Sequence, residues 1–311
     1  MNYNESKIHT SSPEYDKHFW NAMRGNDDSY ANLAVGRSPE TGTHAMPTTS
    51  HNKYMTALEK ESLFRNIGTT INAYGTGYRI FAKNCDELAQ WVSEGDTIPI
   101  YDGINDFTTN TVDSWKLAAF VKLDEDFVRD VSFDIENYLI NRLAKNFGKA
   151  EENAFINGTG NQMPTGILNA TGGADVGINT NSLTYDDVVG LYFSVKSEYR
   201  KNAVWLMNDK TALALRNLKD SAGNYLWRDR DDTILGKKVI ISEYMPDVGA
   251  GAKPIAFGDF SYYWVIGRKP ISVRTLIEKF AVHNQIGYLA FEFLDGKLIR
   301  PEAVKVIQIN T

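Results

Sequence analysis

The sequence predicts an α+β fold, and three of its stretches carry that prediction. Between positions 133 and 157, apolar residues recur every three or four places, which is typical of one long amphipathic helix. Between positions 78 and 121, apolar and polar residues alternate with polar breaks, which is typical of an extended β-hairpin. The run Ala203–Met207 is short and continuously apolar, as expected of a strand buried inside a sheet. One long helix, one hairpin and buried strands together indicate a mixed architecture.

Composition and charge exclude several classes of protein. The chain has 311 residues, of which 42% are hydrophobic and 23% charged, which is typical of a globular protein with a sizeable core. The net charge of −6 argues against wholesale binding to nucleic acid, because no basic excess is available to neutralise phosphates. The single cysteine, Cys85, excludes an intrachain disulfide and a cysteine metal cluster. No apolar run reaches the ~20 residues that span a bilayer, and the N-terminus has no signal core, so we expect synthesis in the cytoplasm.

Residues 1–43 are polar, with one apolar patch around Phe19 and Trp20. On these residues alone the region is expected to be a flexible tail with one short helix. Positions 45–67 then predict a short extended segment followed by a helix. Arg65 lies in this helix, where an ordinary surface arginine is one interpretation.

The long helix is predicted to run from Phe133 to Asn157, with Ser132 as its N-cap and Gly158 ending it in the left-handed conformation. At about 1.5 Å per residue it would be roughly 37 Å long, which favours a spine over one layer of a compact enzyme. Its predicted buried face comprises Ile135, Leu139, Leu143, Phe147, Ala150 and Ala154.

The hairpin before the helix is predicted to turn at Asp102–Gly103 and Asn105–Asp106, which are strong turn formers. A two-stranded hairpin is marginal in water by itself, so we expect it to lie on another surface. Further along, the charges at positions 228–232 alternate in sign, which indicates a solvated loop with local ion pairs. Asp231 and Asp232 could suggest a metal site, but no third ligand is fixed nearby by the spacing.

The second half of the chain predicts a sheet flanked by helices. Positions 186–201 show the period of a second amphipathic helix, and Asn208 or Asp209 is expected to cap a further helix after the strand at 203–207. Positions 235–240 and 261–274 predict strands, and Asp295–Gly296 predicts a hairpin turn between the last long strands.

Five phrases, in this order, carry a resemblance to a known family. They are EYDKHFWNAMRG (14–25), WVSEGDTIP (91–99), the long helix running into NGTGNQMPTGILN (157–169), LGKKVIIS (235–242) and AFGDF (256–260). The chain resembles the major capsid proteins of tailed bacteriophages, which have the Hong Kong 97-type shell fold. That resemblance implies an N-terminal arm and helix at 1–66, an extended loop at 67–121, a peripheral domain at 122–165 and 255–300 that holds the spine helix, and an axial domain at 166–254 and 301–311 with a mixed sheet and flanking helices.

The resemblance also implies which residues contact neighbouring subunits. An arm without a core of its own would need a neighbour to bury its aromatic residues, and the extended loop would overlap the next subunit. Ile98 stands where crosslinking relatives have a lysine before the proline, so covalent crosslinking there is not expected. The expected contact residues are Phe19, Trp20, Arg65, Trp91, Glu94, Ile98, Asp102, Arg228, Asp229 and Arg230.

By this resemblance the chain would be a capsid protein that assembles as pentamers and hexamers into an icosahedral shell around double-stranded DNA, without sequence-specific contact to it. The implied partners are other copies, a scaffolding protein, a portal and, as in some relatives, a decoration protein, with no membrane, cofactor, metal or catalytic residue. The shell would form in the host bacterial cytoplasm and end in the virion. An encapsulin-type shell around protein cargo, or an α+β hydrolase, remain the alternatives, although no catalytic motif occurs.

Overall fold

The computed structural model describes residues 9–73, 79–83, 91–95, 97, 107–130, 132–227 and 232–310. Within these ranges the helices are α1 (Pro13–Met23), α2 (Thr48–Glu61), α3 (Leu63–Ile67), α4 (Glu125–Arg129), α5 (Ile135–Asn157), α6 (Tyr185–Ser194), α7 (Ser197–Arg200) and α8 (Asp209–Arg216). Shorter 3₁₀ segments lie at Asp27–Gly36, Phe260–Tyr262, Glu278–His283 and Pro301–Ala303. None of the helices in the described part of the chain is long and apolar enough to cross a bilayer.

The strands form two sheets and one separate pair. They are β1 (His44–Ala45), β2 (Thr69–Asn72), β3 (Arg79–Lys83), β4 (Phe107–Thr111), β5 (Trp115–Asp124), β6 (Asp175–Thr180), β7 (Val204–Met207), β8 (Thr233–Ile234), β9 (Lys237–Ile241), β10 (Ile255–Gly258), β11 (Tyr263–Leu276), β12 (Gln285–Leu298) and β13 (Val304–Ile309). The first sheet has the order β1-β11-β12-β5, with β2 parallel to β11. The second has the order β6-β13-β10-β7-β9-β8, and β3 pairs with β4 alone.

The first sheet is built on β11 and β12, which are antiparallel and 14 residues long each. Helix α5 packs on this sheet together with α1 and α2, and the three helices and the sheet share one apolar core. Leu143 and Phe147 of α5 are fully buried in that core, beside Tyr54 and Leu58 of α2 and Tyr288 of β12. The long amphipathic helix is therefore confirmed.

The ends of α5 differ from their prediction. Asp134 is the N-cap, because its carboxylate accepts the N–H of Asn137, while Ser132 donates its hydroxyl to Asp130 instead. Gly158 is extended, with φ −62°, so the predicted left-handed end is wrong. Along the helix Ala150 is exposed and Glu151 is buried in its place.

Gly158 and Gly166 are needed because backbone approaches them closely where α5 ends. A Cβ on Gly158 would lie 2.2 Å from the carbonyl oxygen of Pro164, and one on Gly166 would lie 2.5 Å from that of Ile156. The chain folds back along the helix end, where Ile167 and Leu168 donate to the carbonyls of Phe155 and Ile156 at 2.8 and 3.0 Å. This folded-back segment leads directly into β6 of the second sheet.

The N-terminal segment around helix α1 also differs from its prediction. Helix α1 buries Tyr15, Phe19, Ala22 and Met23 in the first core, so residues 13–23 are not a flexible tail. Ser12 caps this helix, and the spacing of its four buried residues places them on one face. The predicted short helix is therefore confirmed, and the expectation of a flexible tail is wrong for residues 13–23.

The predicted hairpin is confirmed where the described residues cover it, but its last part, from residue 115, belongs to another sheet. Strands β3 and β4 pair antiparallel over five residues, from Arg79 opposite Thr111 to Lys83 opposite Phe107. Beyond Asp113 the chain leaves that pair, and β5 joins β12 of the first sheet along its whole length. The predicted turns at 102–103 and 105–106 lie outside the described residues.

The predicted turn at Asp295–Gly296 is wrong, because β12 runs straight through it. The carboxylate of Asp295 is fully buried and accepts the backbone N–H groups of Asp113 and Gly296 at 2.8 and 2.9 Å. Gly296 serves close packing instead, since a Cβ there would lie 2.5 Å from the hydroxyl of Tyr263 and 2.8 Å from the ring of Phe155.

The second sheet follows the prediction more closely. β7 lies inside it, and Trp205 and Phe257 stack in its core with ring centroids 4.1 Å apart. Asn208 caps α8 by accepting the N–H of Thr211 at 2.7 Å, as one of the two predicted caps. The second predicted helix is broken at Val195–Lys196 into α6 and α7, and the strand predicted from position 235 begins at 237 after a turn.

Candidate assembly surfaces and a buried ion-pair cluster

Tyr54, Arg65, Glu151 and Glu292 form a polar cluster inside the first core, which we call the Arg65 cluster. Arg65 donates Nε to Glu151 Oε2 at 2.8 Å and Nη2 to Glu151 Oε1 at 2.6 Å, a bidentate contact. The same Nη2 reaches Glu292 Oε1 at 3.1 Å, and the hydroxyl of Tyr54 donates to Glu292 Oε2 at 2.9 Å. The charged side chains are 2%, 0% and 7% exposed, so the cluster ties α2, α3, α5 and β12 together away from water.

Two carboxylates share one guanidinium in this cluster, and this arrangement changes the pKa of Glu292. Burial and the nearby charge of Glu151 raise the pKa of Glu292 to about 7, against the opposing effects of Arg65 and Tyr54. Burial by itself would lower the pKa of Arg65, but Glu151 and Glu292 raise it overall, so the guanidinium keeps its charge. Burial also raises the pKa of Tyr54 well above its usual value, which keeps its hydroxyl a donor.

The interpretation of Arg65 as an ordinary surface arginine is therefore wrong, while its contact with another subunit stays a prediction. Its charged end is enclosed by its own chain. Glu151 and Glu292 were missed from the sequence. Glu151 lies four residues after Phe147, so the helical period itself places it on the buried face. A buried acid at that position indicates a buried cation, and this was the available signal.

The aromatic pair of α1 packs within its own chain. Phe19 is fully buried, and its ring meets that of Trp20 edge-on at 5.1 Å. Trp20 is half-buried and donates Nε1 to the hydroxyl of Ser50 at 3.1 Å, which links α1 to α2. The expectation that Phe19 needs a neighbouring subunit for burial is wrong, and contact by the exposed part of Trp20 stays a prediction.

The segment 91–95 carries the most exposed aromatic side chain among the described residues. The indole of Trp91 is fully exposed, and Glu94 beside it is exposed as well. A single exposed side chain does not mark an interface by itself, so contact of Trp91 and Glu94 with a neighbouring subunit stays a prediction. Ile98 and Asp102 lie outside the described residues.

A second exposed apolar surface lies beside α8. Leu213 and Tyr225 are exposed there, and with Trp227 they line a shallow cavity of about 750 Å³. Arg216 lies 4.1 Å above the ring of Trp227 and pairs with Asp232 at 2.9 Å. Trp227 and Asp232 flank the sign-alternating loop, whose predicted contact residues Arg228, Asp229 and Arg230 lie outside the described residues.

A third surface is an apolar groove of about 510 Å³ along the outer side of α5. Ala150 and Ala154 form its helical wall, and Trp115, Met163 and Pro164 face them. Small residues on a helix leave room for another chain to approach, so another chain could approach α5 at this groove. Within the described ranges no three His, Cys, Asp or Glu side chains are placed to hold a metal ion. Asp231, half of the pair considered as a metal site, lies outside those ranges.

Comparison with known proteins gives the class to which this fold belongs. The capsid chain of an empty GTA particle, computed with C5 symmetry, is 30% identical and superimposes with a TM-score of 0.65, over 81% of this chain and 90% of that one. The capsid chain of a native GTA particle is 28% identical with a TM-score of 0.66, over 92% of this chain and 98% of that one. The fold is thus that of capsid shell proteins.

The sequence leads to the same class. The chain is 27% identical over 276 residues to the probable major capsid protein gp17 of Mycobacterium phage D29, which covers 83% of this chain and 79% of that protein. The phage capsid family matches residues 42–309. The chain belongs to the phage capsid family and is a major capsid protein with the Hong Kong 97-type fold, a structural protein of the virion shell and not an enzyme. Neither the encapsulin-type shell nor the hydrolase is favoured.

Proposed function

We propose that copies of this chain assemble as pentamers and hexamers into an icosahedral shell that encloses double-stranded DNA. The observation that carries the proposal is the end-to-end likeness to the capsid chain of the native GTA particle, a particle computed with fivefold symmetry. Assembly takes place in the host bacterial cytoplasm with a scaffolding protein and a portal, and a decoration protein is a further possible partner. The DNA is enclosed without sequence-specific contact, in keeping with the net charge of −6.

The exposed surfaces support non-covalent contacts between copies. Trp91 and Glu94 lie in the segment that would overlap the next subunit, and burying one indole there removes a large apolar area from water at about 25 cal/mol per Å². Leu213, Tyr225 and the loop at 228–230 would meet their counterparts around the axis of each capsomer. With Ile98 before Pro99, no lysine is available there for a covalent bond.

The two sheets also give a physical basis for the proposed division into domains. The first sheet with α5 would form the peripheral domain, from residues 122–165 and 255–300. Because β10 (Ile255–Gly258) pairs with β7 and β13 of the second sheet, we place the boundary proposed at 255 after Gly258. The second sheet with α6 and α8 would form the axial domain, from residues 166–254 and 301–311. The strand β5 starts at Trp115 and pairs with β12, so we place the end of the extended loop near residue 114, ahead of the boundary at 121.

The test is sedimentation velocity with electron microscopy of the full chain, expressed alone and together with its scaffolding protein. Closed shells, or rings of five and six copies, support the proposal. A chain that stays monomeric at high concentration in both cases overturns it. Nuclease-protected double-stranded DNA inside particles from infected cells supports the DNA cargo, whereas particles filled with a single protein species overturn that part.

A further inference from the structure

A cavity of about 710 Å³ lies between the 3₁₀ segment Asp27–Gly36 and the C-terminal end of β11. Arg37, Arg274 and Lys279 line it, and the one carboxylate in its lining is that of Glu278. Within the part of the chain that the structure describes, none of these three cations forms a salt bridge. The cavity is therefore a concentration of positive charge on a chain whose net charge is −6.

His44 forms part of the same lining and has an unused polar atom. Its side chain is 7% exposed, and among the described residues its buried Nδ1 has no hydrogen-bond partner. Burial and the charges of Arg37 and Arg274 lower the pKa of His44, so the ring is mostly neutral near pH 7. Because the ring is mostly neutral, the positive charge of the cavity comes from Arg37, Arg274 and Lys279.

The turn at residues 38–43 lies against one of the cationic side chains, that of Arg274. Gly42 has φ +63°, and a Cβ on it would lie 3.4 Å from Nη1 of Arg274, so the guanidinium lies against the turn. Ser38 donates its N–H to the carbonyl of Thr43 at 2.8 Å, which closes the turn. Thr43 then donates its hydroxyl to Ser272 of β11 at 2.7 Å. The turn and the strand thus fix the backbone beside the cavity, and the exposed side chain of Arg274 lies against it.

The size and lining of the cavity indicate the ligand. Two guanidinium groups with an ammonium group match an anion with several acceptor oxygens, which a phosphate has and a single carboxylate lacks. A cavity of 710 Å³ has room for much more than one phosphate. The remaining wall includes Tyr30, Ala31 and Ile277, an apolar surface suited to a flat ring.

We propose that this cavity binds the phosphate of a nucleotide, either free or within a nucleic-acid strand, with Arg37, Arg274 and Lys279 at the phosphate. The site is local, so it is consistent with a chain that lacks a general affinity for nucleic acid. It does not depend on the assembly proposed above, because all of its lining residues belong to one subunit.

The test is titration calorimetry on the full chain with four probes: AMP, inorganic phosphate, a short single-stranded DNA oligonucleotide and a glutamate-rich peptide. The variant carries Arg37→Gln and Arg274→Gln, and the matched control carries Arg142→Gln, which removes an exposed arginine of α5. We expect the double variant to lose at least about tenfold in affinity for AMP or the oligonucleotide, while the control stays within about twofold. Circular dichroism shows whether each variant is folded. In the wild type, AMP should also shift the NMR signals of the His44 ring.

Each outcome decides the proposal. Loss of binding in the double variant alone supports it, and AMP against the oligonucleotide then shows whether the phosphate is free or part of a strand. Equal loss in the Arg142→Gln control shows a general charge effect and overturns the proposal. The absence of AMP, phosphate and oligonucleotide binding to the wild type overturns it, and so does tighter binding of the glutamate-rich peptide than of any phosphate probe.

Discussion

Two of the apolar cores of this subunit are stabilised by different means. The first core, under α5, encloses the Arg65 cluster among its apolar residues. The second core, around Trp205 and Phe257, is almost entirely apolar. Apolar packing stabilises without depending on protonation, whereas a buried ion pair is sensitive both to pH and to the loss of either partner. The part of the subunit's stability that depends on pH and on an intact ion pair therefore lies in the region around α5.

The largest effect should follow from removing the cation of the Arg65 cluster. Arg65→Met leaves Glu151 and Glu292 buried without a counterion, and we expect a loss of about 3–5 kcal/mol in the free energy of unfolding at pH 8. The loss should be smaller at pH 5, because Glu292 is then protonated and needs no counterion. Urea denaturation at both pH values measures this.

Trp205→Ala is the matched variant in the second core, and its loss of about 3–5 kcal/mol should be the same at pH 5 and pH 8. A pH-independent loss for Arg65→Met as well would contradict the difference between the cores.

Glu292→Gln sharpens the comparison by removing one titrating group. The pKa of Glu292 in the folded chain, about 7, lies above the usual value near 4.5. Its contribution is therefore fully present below about pH 4.5 and is lost as the pH rises through 7. From pH 5 to pH 8 the wild type should lose about 1–3 kcal/mol of stability relative to Glu292→Gln. Parallel stability curves for the two proteins would refute this, and Glu59→Gln on the exposed side of α2 is the control.

Gly296→Ala tests the close packing that replaces the predicted turn. The new methyl group would approach the hydroxyl of Tyr263 and the ring of Phe155, both fully buried, so we expect a loss of about 1–3 kcal/mol. Gly249→Ala is the control, because a Cβ there meets no atom within 4 Å. Thermal unfolding of both variants measures the effect, and equal melting temperatures would show that the strand has room for the methyl group.

Trp91→Ala should have the smallest effect on folding and a clear effect on assembly. The indole has no partner to lose within the described part of its own subunit, so the free energy of unfolding should change by less than about 0.5 kcal/mol. If a neighbouring copy buries it, the concentration needed for assembly should rise severalfold. Sedimentation velocity measures assembly, and an unchanged threshold would remove Trp91 from the contact residues.

The sequence could predict the features that are determined by residues close to one another in the chain. The period of α5 and the cap at Asn208 are local, and both were predicted. The apolar spacing of α1 indicated a buried face, but the sheet against which Phe19 packs forms some 250 residues later, so the sequence did not show what covers it. The Asp295–Gly296 pair has the local preference of a turn, but β12 continues through it because both residues pair with β11. The family phrases identified the class because their order along the chain holds information that no single residue has.

The folded-back segment after α5 has a mechanical consequence. Gly158 and Gly166 let two backbone stretches touch, and hydrogen bonds from Ile167 and Leu168 fasten the chain to the last turn of the helix. Because of these contacts, the connection between α5 and β6 of the second sheet has little freedom to move. We therefore expect β6 and the second sheet to move together with α5 when the helix tilts. A displacement of the first sheet would then be passed on to the second.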